Sequence, residues 1–328
     1  MAQDGRLLAG DVGGTNARLA LFEPDGRTEV ARATYPSREH AGLDEIIRAF
    51  LGEHPAQVTG ACVGVAGPVR DGRTQEVNLA WPVDAASIAA TLGLDGVVLL
   101  NDLEANAWGI DALGRDDVVS LQAGATGASG NAAVISAGTG LGEALIVRET
   151  DGATIVVATE GGHVDFAPRN EDQVELWRSV MAELGHVSVE RVCSGMGLVA
   201  IDRFLRARAG APDPDWLVKA RDGGDAAAAI SAAGLTRSDA VSSDALDMMI
   251  EIYAAQAANL ALTCLAVGGV YLGGGISPKI LPRLKEGGFL RAFTDKGRFT
   301  QLMKTIPVRV IVNQDTALMG AALRAARV

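Results

Sequence analysis

Asp11-Val12-Gly13-Gly14-Thr15-Asn16 lies between two short apolar runs, Arg6–Gly10 and Ala17–Phe22. The pattern predicts a strand, a glycine turn and a second strand. Pro24-Asp25-Gly26 is a further hairpin signal, after which Glu29–Tyr35 reads as a third strand. Leu43, Ile46, Ile47, Phe50 and Leu51 then recur at helical spacing. Val58–Val65 is expected as a strand, Ala85–Leu94 as a helix and Val97–Leu100 as a strand. A helix carrying Leu103, Ala107 and Ile110 follows. The resulting order, β-β-β-α-β-α-β-α, is neither that of a Rossmann fold nor that of a plain P-loop fold. No GxxxxGK[ST] occurs.

The same opening recurs later in the chain. Ala132–Ser136 is an apolar strand, Gly138-Thr139-Gly140-Leu141-Gly142 a glycine turn, and Glu143–Arg148 and Thr154–Thr159 are strands. The turn spaces its glycines as GxGxG and leads into a strand, which argues against a dinucleotide fingerprint. Helices are expected around Val174–Leu184, Gly197–Arg206 and Leu246–Val267. Val270–Leu272 is a strand ending in GGGISP, and Val308–Val312 with Thr316–Ala326 closes the chain as strand and helix. The Ala run after Asp222-Gly223-Gly224-Asp225 reads as an exposed helix start. A hairpin plan used twice implies two related α/β domains closing on a ligand between them.

The 328 residues suffice for two domains with a large core, since 48% are apolar. A net charge of −11 argues against nucleic acid or an anionic membrane as the main partner. Cys62, Cys193 and Cys264 are odd in number and far apart, so neither a disulfide framework nor a zinc site is expected. MAQDGRLLAGD lacks a positively charged start followed by a long apolar run, so no signal peptide is expected. The apolar run Leu260–Leu272 is interrupted by Thr263, Gly268 and Gly269 and is too short to span a bilayer. A reduced, cytoplasmic setting fits these features.

Gly13, Gly14, Gly138 and Gly140 let backbone N–H groups approach an anion closely. Asp11 can hold a metal ion, directly or through water, and Thr15 can donate to a phosphate oxygen. One such turn would be read as an ordinary hairpin. Two can grip a polyphosphate from both sides. Gly273-Gly274-Gly275 offers flat backbone for a planar base, or is simply a strand-to-helix turn. Asn101-Asp102 lies at the C-terminal end of a strand, where ligands bind in open α/β sheets, and Asp102 can accept a proton from a hydroxyl. The competing reading is a helix N-cap. Glu160, His163 and Glu190 can form a fence of acceptors and donors for sugar hydroxyls, although each taken singly reads as a surface group.

Taken together, DVGGTNARLAL, NDLEANAWG, SAGTGLG, EGGHVDFAP, GHVSVERVCSG, GGVYLGGGISP and DKGRF occur in this order and spacing over essentially the whole chain. They resemble bacterial glucokinases of the non-ROK group, within the actin/hexokinase-like ATPase superfamily. The cysteine-rich zinc motif of the related ROK proteins is missing. The resemblance implies an α/β, two-domain actin/hexokinase-like (ribonuclease H-like) fold with a ligand cleft between domains. Residues 1–112 plus 304–328 would form the small domain and 113–303 the large one. It also implies ATP-dependent phosphorylation of glucose on the 6-hydroxyl in a homodimer.

Residue by residue, the resemblance makes Asp102 the catalytic base and gives glucose to Asn101, Asp102, Glu160, His163 and Glu190. ATP phosphates would lie at Asp11, Gly13, Gly14, Thr15 and Asn16 and at Gly138, Thr139 and Gly140. Mg²⁺ would sit near Asp11, and adenosine at Gly273, Gly274 and Gly275. A kinase for another hexose, a non-catalytic sugar sensor and an actin-like ATPase stay open as alternatives. A DNA-binding sensor would need a helix-turn-helix before DVGGT, where only ten residues precede Asp11. Glu143 departs from the pattern, since a small or apolar residue is expected directly after GTGLG.

Overall fold

Alternation along Arg6–Val12 (β1) decides how the first sheet is clothed. Leu8 and Val12 pack into one apolar cluster with Leu19 and Leu21 of Asn16–Phe22 (β2), while Leu7 and Ala9 pack into another with Ala20 and Phe22. Period-two burial on both faces means that helices must cover both sides. The structure is a computed structural model describing residues 5–74, 79 and 81–328. Residues 1–4, which bear on the signal-peptide expectation, lie outside the described part.

The chain forms two compact units. The first takes Met1–Asp117, Val156–Ala158 and Asn313–Val328, and the second takes Val118–Ile155 and Thr159–Val312. In the first unit, β1 and β2 are followed by Glu29–Pro36 (β3), helix Leu43–Glu53 (α1) and Val58–Val65 (β4). A small hairpin, Val69–Arg70 (β5) with Arg73–Thr74 (β6), precedes helix Ala85–Leu92 (α2), strand Val98–Asn101 (β7) and helix Asp102–Gly109 (α3). The sheet order is β3-β2-β1-β4-β7. β1 pairs antiparallel with β2 and parallel with β4. Leu43, Ile46, Ile47 and Phe50 bury the apolar face of α1 on one side of the sheet, each contributing roughly 1.5–3 kcal/mol. Trp108 of α3 packs on the other side with Leu318 and Ala321 of the C-terminal helix Thr316–Ala325.

After the first unit's α3 the chain continues with Val118–Gln122 (β8), Ala132–Ala137 (β9), Leu141–Arg148 (β10) and Thr154–Thr159 (β11). Helices Glu171–Leu184 (α4), Gly195–Ala209 (α5), Asp215–Asp222 (α6), Ala226–Thr236 (α7) and Ala240–Cys264 (α8) follow. After Gly269–Gly273 (β12) come short helices Leu281–Leu284 (α9), Gly288–Thr294 (α10) and Thr300–Thr305 (α11). Strand Val308–Ile311 (β13) and helix Thr316–Ala325 (α12) complete the chain. The sheet order is β11-β10-β9-β12-β13-β8. Its first five positions follow the same order as the other sheet, with β10 antiparallel to β9 and with β12 and β13 parallel to β9. β8 adds an antiparallel edge that sequence periodicity does not reveal, because none of its residues is fully buried. Among the described residues, no helix is long and apolar enough to cross a membrane.

Candidate active site

Each unit carries its own set of polar groups. In the first, Asp11 stands on β1 just before the turn. Its carboxylate lies 2.7 Å from Arg18 Nη2 on the facing strand, and Arg18 in turn reaches Asp315 Oδ1 at 3.1 Å. Burial pushes the Asp11 carboxyl above its usual range, Arg18 opposes that shift, and Asp315 adds to it. The turn is closed by Gly13 N–H donating to the Asn16 carbonyl at 2.9 Å and by Ser37 Oγ donating to the Gly13 carbonyl at 2.8 Å. Thr15 and Asn16 are exposed at its tip.

Asn101 ends β7, and Asp102 opens α3. The cap belongs to Asn101, whose Oδ1 accepts from Glu104 N–H at 2.6 Å. Asp102 is the first helical residue, half-buried, with Oδ1 accepting from Leu103 N–H at 3.0 Å. Of the two candidates for N-cap, the neighbour therefore fills the role, and Asp102 is not needed for it.

In the second unit the turn after β9 is tied into its surroundings by several bonds. Gly195 N–H at the start of α5 donates to the Gly138 carbonyl at 2.9 Å, and Ile276 N–H donates to the Ala137 carbonyl at 3.1 Å. Glu190 Oε2 accepts from Leu141 N–H at 2.9 Å. Gly13, Gly138 and Gly140 do not adopt positive φ, contrary to what a glycine turn invites one to expect. A β-carbon at Gly138 would meet open space. Gly274 differs: its φ is +77°, and a β-carbon there would lie 2.3 Å from the Ala137 carbonyl oxygen. Ser277 Oγ, itself bonded to the buried Tyr253 hydroxyl at 3.0 Å, donates to the Gly273 carbonyl at 2.9 Å.

The three members of the expected fence come together within this unit. Glu160 precedes the turn Gly161–His163, and Glu190 sits in the turn Val189–Arg191. The two segments are joined by Val189 N–H donating to the Val164 carbonyl at 3.0 Å and Phe166 N–H to the Val187 carbonyl at 2.9 Å. His163 Nδ1 lies 3.6 Å from Glu160 Oε2, and His163 Nε2 lies 3.8 Å from Glu190 Oε1. These separations exceed hydrogen-bond length and leave the polar atoms available to hydroxyls. Sequence reading missed that Glu190 serves two places, since its other oxygen holds the glycine turn at Leu141. His186 bonds Asp165 at 2.9 Å and stands apart from the fence.

Glu143 does not direct its charge into the turn before it. It is 2% exposed, and Gln256 Nε2 of α8 donates to its Oε1 at 2.9 Å. Burial raises its carboxyl above the ordinary glutamate range, while the bond from Gln256 works the other way.

A profile of the family described as Glucokinase matches residues 8–328. The chain belongs to the glucokinase family. A glucokinase of Nostoc punctiforme is 40% identical over 338 residues, covering 98% of this chain and 99% of that protein. A Synechocystis glucokinase is 38% identical over 98% of each. Among solved structures, a glucokinase from an Antarctic psychrotroph superposes with a TM-score of 0.86 at 29% identity, over 98% of this chain and 99% of that one. The fold extends to a ROK family glucokinase of Streptomyces griseus, solved with glucose and AMPPNP, at a TM-score of 0.63 and 22% identity over 99% of this chain. This glucokinase-family chain therefore has the hexokinase-like α/β fold that the resemblance implies.

Proposed function

We propose that the protein transfers the terminal phosphoryl group of ATP to the 6-hydroxyl of glucose, giving glucose 6-phosphate and ADP, the first step of glycolysis. The observation that carries this reading is the gathering of Glu160, His163 and Glu190 from two chain segments around one imidazole, with Glu190 also bonded to a glycine turn. A sugar presents several hydroxyls, and side chains able both to donate and to accept match them. Glu160, His163, Glu190 and Asn101 bind hydroxyls, and Gly273–Gly275 lies along the adenosine.

Phosphoryl transfer is mostly positioning and electrostatics. The Gly13 and Gly138 N–H groups close their own turns, so Gly14, Thr15, Thr139 and Gly140 are the ones that receive phosphate oxygens. Asp102 takes the proton of the attacking hydroxyl. Asp11 supplies one hard oxygen donor beside its turn, where burial raises its carboxyl pKa and the Arg18 guanidinium at 2.7 Å opposes that rise. That suits Mg²⁺, which needs one or two carboxylates plus substrate phosphates. A Mg²⁺ ion held beside Asp11 would supply neutralisation of phosphate charge.

The decisive assay is ADP release coupled to a reporter across a panel of hexoses, with a sugar-free control. Glucose should give the highest kcat/KM, and ATP hydrolysis without sugar should stay far below the transferase rate. A preference for fructose, mannose or N-acetylglucosamine would replace the substrate. Sugar-independent hydrolysis at the transferase rate would favour an actin-like ATPase, and no turnover with any sugar a sensor. A cytoplasmic homodimer belongs to the same reading, and size-exclusion chromatography with light scattering checks the dimer.

A further inference from the structure

Glu143 is a buried acid that the transfer reaction does not use, and Lys296 of the DKGRF segment is equally unassigned. The structure joins them within the second unit. Lys296 Nζ donates to Asn259 Oδ1 at 2.5 Å, Asn259 Nδ2 donates to Gln256 Oε1 at 3.2 Å, and Gln256 Nε2 donates to Glu143 Oε1 at 2.9 Å. An ammonium can only donate, so Asn259 turns its Oδ1 to Lys296 and its Nδ2 to Gln256 Oε1, which leaves the Gln256 Nε2 to donate to Glu143. Chains of bonds aligned in one sense strengthen one another in a low-dielectric interior. The chain thereby gives a nearly inaccessible carboxylate the partner that burial demands.

The far oxygen of Glu143 lies against the sugar-binding turn. A β-carbon on Gly161 would sit 2.1 Å from Glu143 Oε2, so the carboxylate occupies the space that glycine leaves. The turn is also tied to the same residue through the backbone. Thr159 Oγ1 donates to the Glu143 carbonyl at 2.9 Å and accepts from Gly161 N–H at 3.1 Å. Glu160 and His163 flank Gly161, and the turn is completed by His163 N–H donating to the Glu160 carbonyl at 2.9 Å. A side chain pinned by Gln256 cannot swing away as an unrestrained glutamate would. It is a fixed floor under the two residues that face the sugar.

We infer that Glu143 is a positioning residue for the sugar-binding turn, held in place by the chain from Lys296 through Asn259 and Gln256. The inference rests on the reading of Glu160 and His163 as sugar ligands. Replacing Glu143 by Leu keeps bulk but removes the acceptor. Glu143→Leu should raise the KM for glucose about tenfold and leave the KM for ATP within about twofold, the size of one buried hydrogen bond. Glu143→Gln keeps an acceptor for Gln256 and should stay within about threefold of the parent.

Gly161→Ala should raise the glucose KM at least about tenfold, because its new methyl meets a pinned carboxylate. Adding Glu143→Ala should bring that value back by at least about threefold, a coupling that independent sites do not show. A glucose KM within twofold of the parent in Glu143→Leu overturns the inference, as does an equal rise in both KM values. Strict additivity in the Gly161→Ala, Glu143→Ala pair overturns it too. Should Glu143→Leu fail to fold, Gln256→Leu releases the same carboxylate and must raise the glucose KM selectively. His163→Ala and Glu160→Ala separate the two levels. If neither changes the glucose KM, the sugar-site reading has failed. If both raise it while Glu143→Leu does not, the positioning role alone has failed.

Discussion

The two glycine hairpins share a strand plan but are held in place differently. The turn between β1 and β2 is flanked by charge, with Asp11, Arg18, Asp315 and Arg32 linked in sequence at 2.7, 3.1 and 2.6 Å. The turn between β9 and β10 is instead held by hydrogen bonds, from Gly195 N–H and Ile276 N–H to its carbonyls and from Leu141 N–H to the Glu190 carboxylate. Ion pairs at a partly exposed surface respond to pH and salt. Hydrogen bonds to a neighbouring site respond to whatever occupies that site. The same strand plan thus carries one turn flanked by ion pairs and another held by hydrogen bonds to neighbouring segments.

The largest expected effect lies in the first unit. Asp102→Asn preserves shape and should leave the melting temperature unchanged, while kcat falls on the order of 10²–10⁴-fold with glucose KM little altered. Asn101→Ala provides the contrast, since removing the cap on α3 costs about 1 kcal/mol of stability. A folded Asp102→Asn protein with near-parental kcat would remove the base from the mechanism.

Next comes the second turn. Glu190→Ala breaks the bond to Leu141 and empties one side of His163, so it should raise the KM for both glucose and ATP by about 5–150-fold, from roughly 1–3 kcal/mol lost. His163→Ala should affect glucose alone. If Glu190→Ala also spared ATP, the second turn would be no more connected to the sugar residues than the first.

Much of this was legible in the sequence, and the boundary of what was not has physical causes. Apolar runs flanking Gly13-Gly14 and Gly138–Gly140 predicted strands because buried strands bracketing a glycine turn have few alternatives. Val118–Gln122 was missed because a half-buried edge strand has little period-two contrast. Asp215–Asp222 and the short helices from Leu281 to Thr305 carry too few turns for a 3.6-residue period to stand out. Glu143 looked anomalous beside its turn because its partner, Gln256, stands 113 residues away. Local pattern reports which face a residue takes, not which distant side chain meets it.

A smaller effect distinguishes glycines that make room for a ligand from glycines the protein itself requires. Gly138→Ala faces open space, so it should melt like the parent yet weaken ATP use. Gly274→Ala places a β-carbon at φ +77° against the Ala137 carbonyl, so it should lower stability by about 1 kcal/mol or more before any ligand is added. Differential scanning fluorimetry beside ATP KM values separates the two. Equal melting losses would mean that Gly138 is a structural turn residue like Gly274.

The smallest effect tests the electrostatic character of the first turn. Asp11 has its folded-state pKa raised by burial, with Arg18 restraining the rise. A raised carboxyl pKa means that the folded state binds more protons than the unfolded chain between the two pKa values. Its contribution to stability therefore declines as pH climbs through that window and is constant above it. Activity runs the other way, because the proposed role of Asp11 beside phosphate requires the ionised form and is lost as pH falls through the folded pKa. Arg18→Met removes the restraint, so the folded pKa should rise further. The acid limb of the kcat/KM profile should then move to higher pH. At neutral pH the stability change should be no more than about 1 kcal/mol, because Arg18 is 34% exposed and solvent screens the pair. The same substitution should leave the glucose KM within about twofold, as Arg18 bonds Asp11, Asp315 and the Gln314 carbonyl within its own unit. An acid limb that stays in place, with the melting temperature unchanged from pH 5 to 8, would mean that Asp11 and Arg18 do not govern this turn and that the contrast between the two hairpins is one of shape alone.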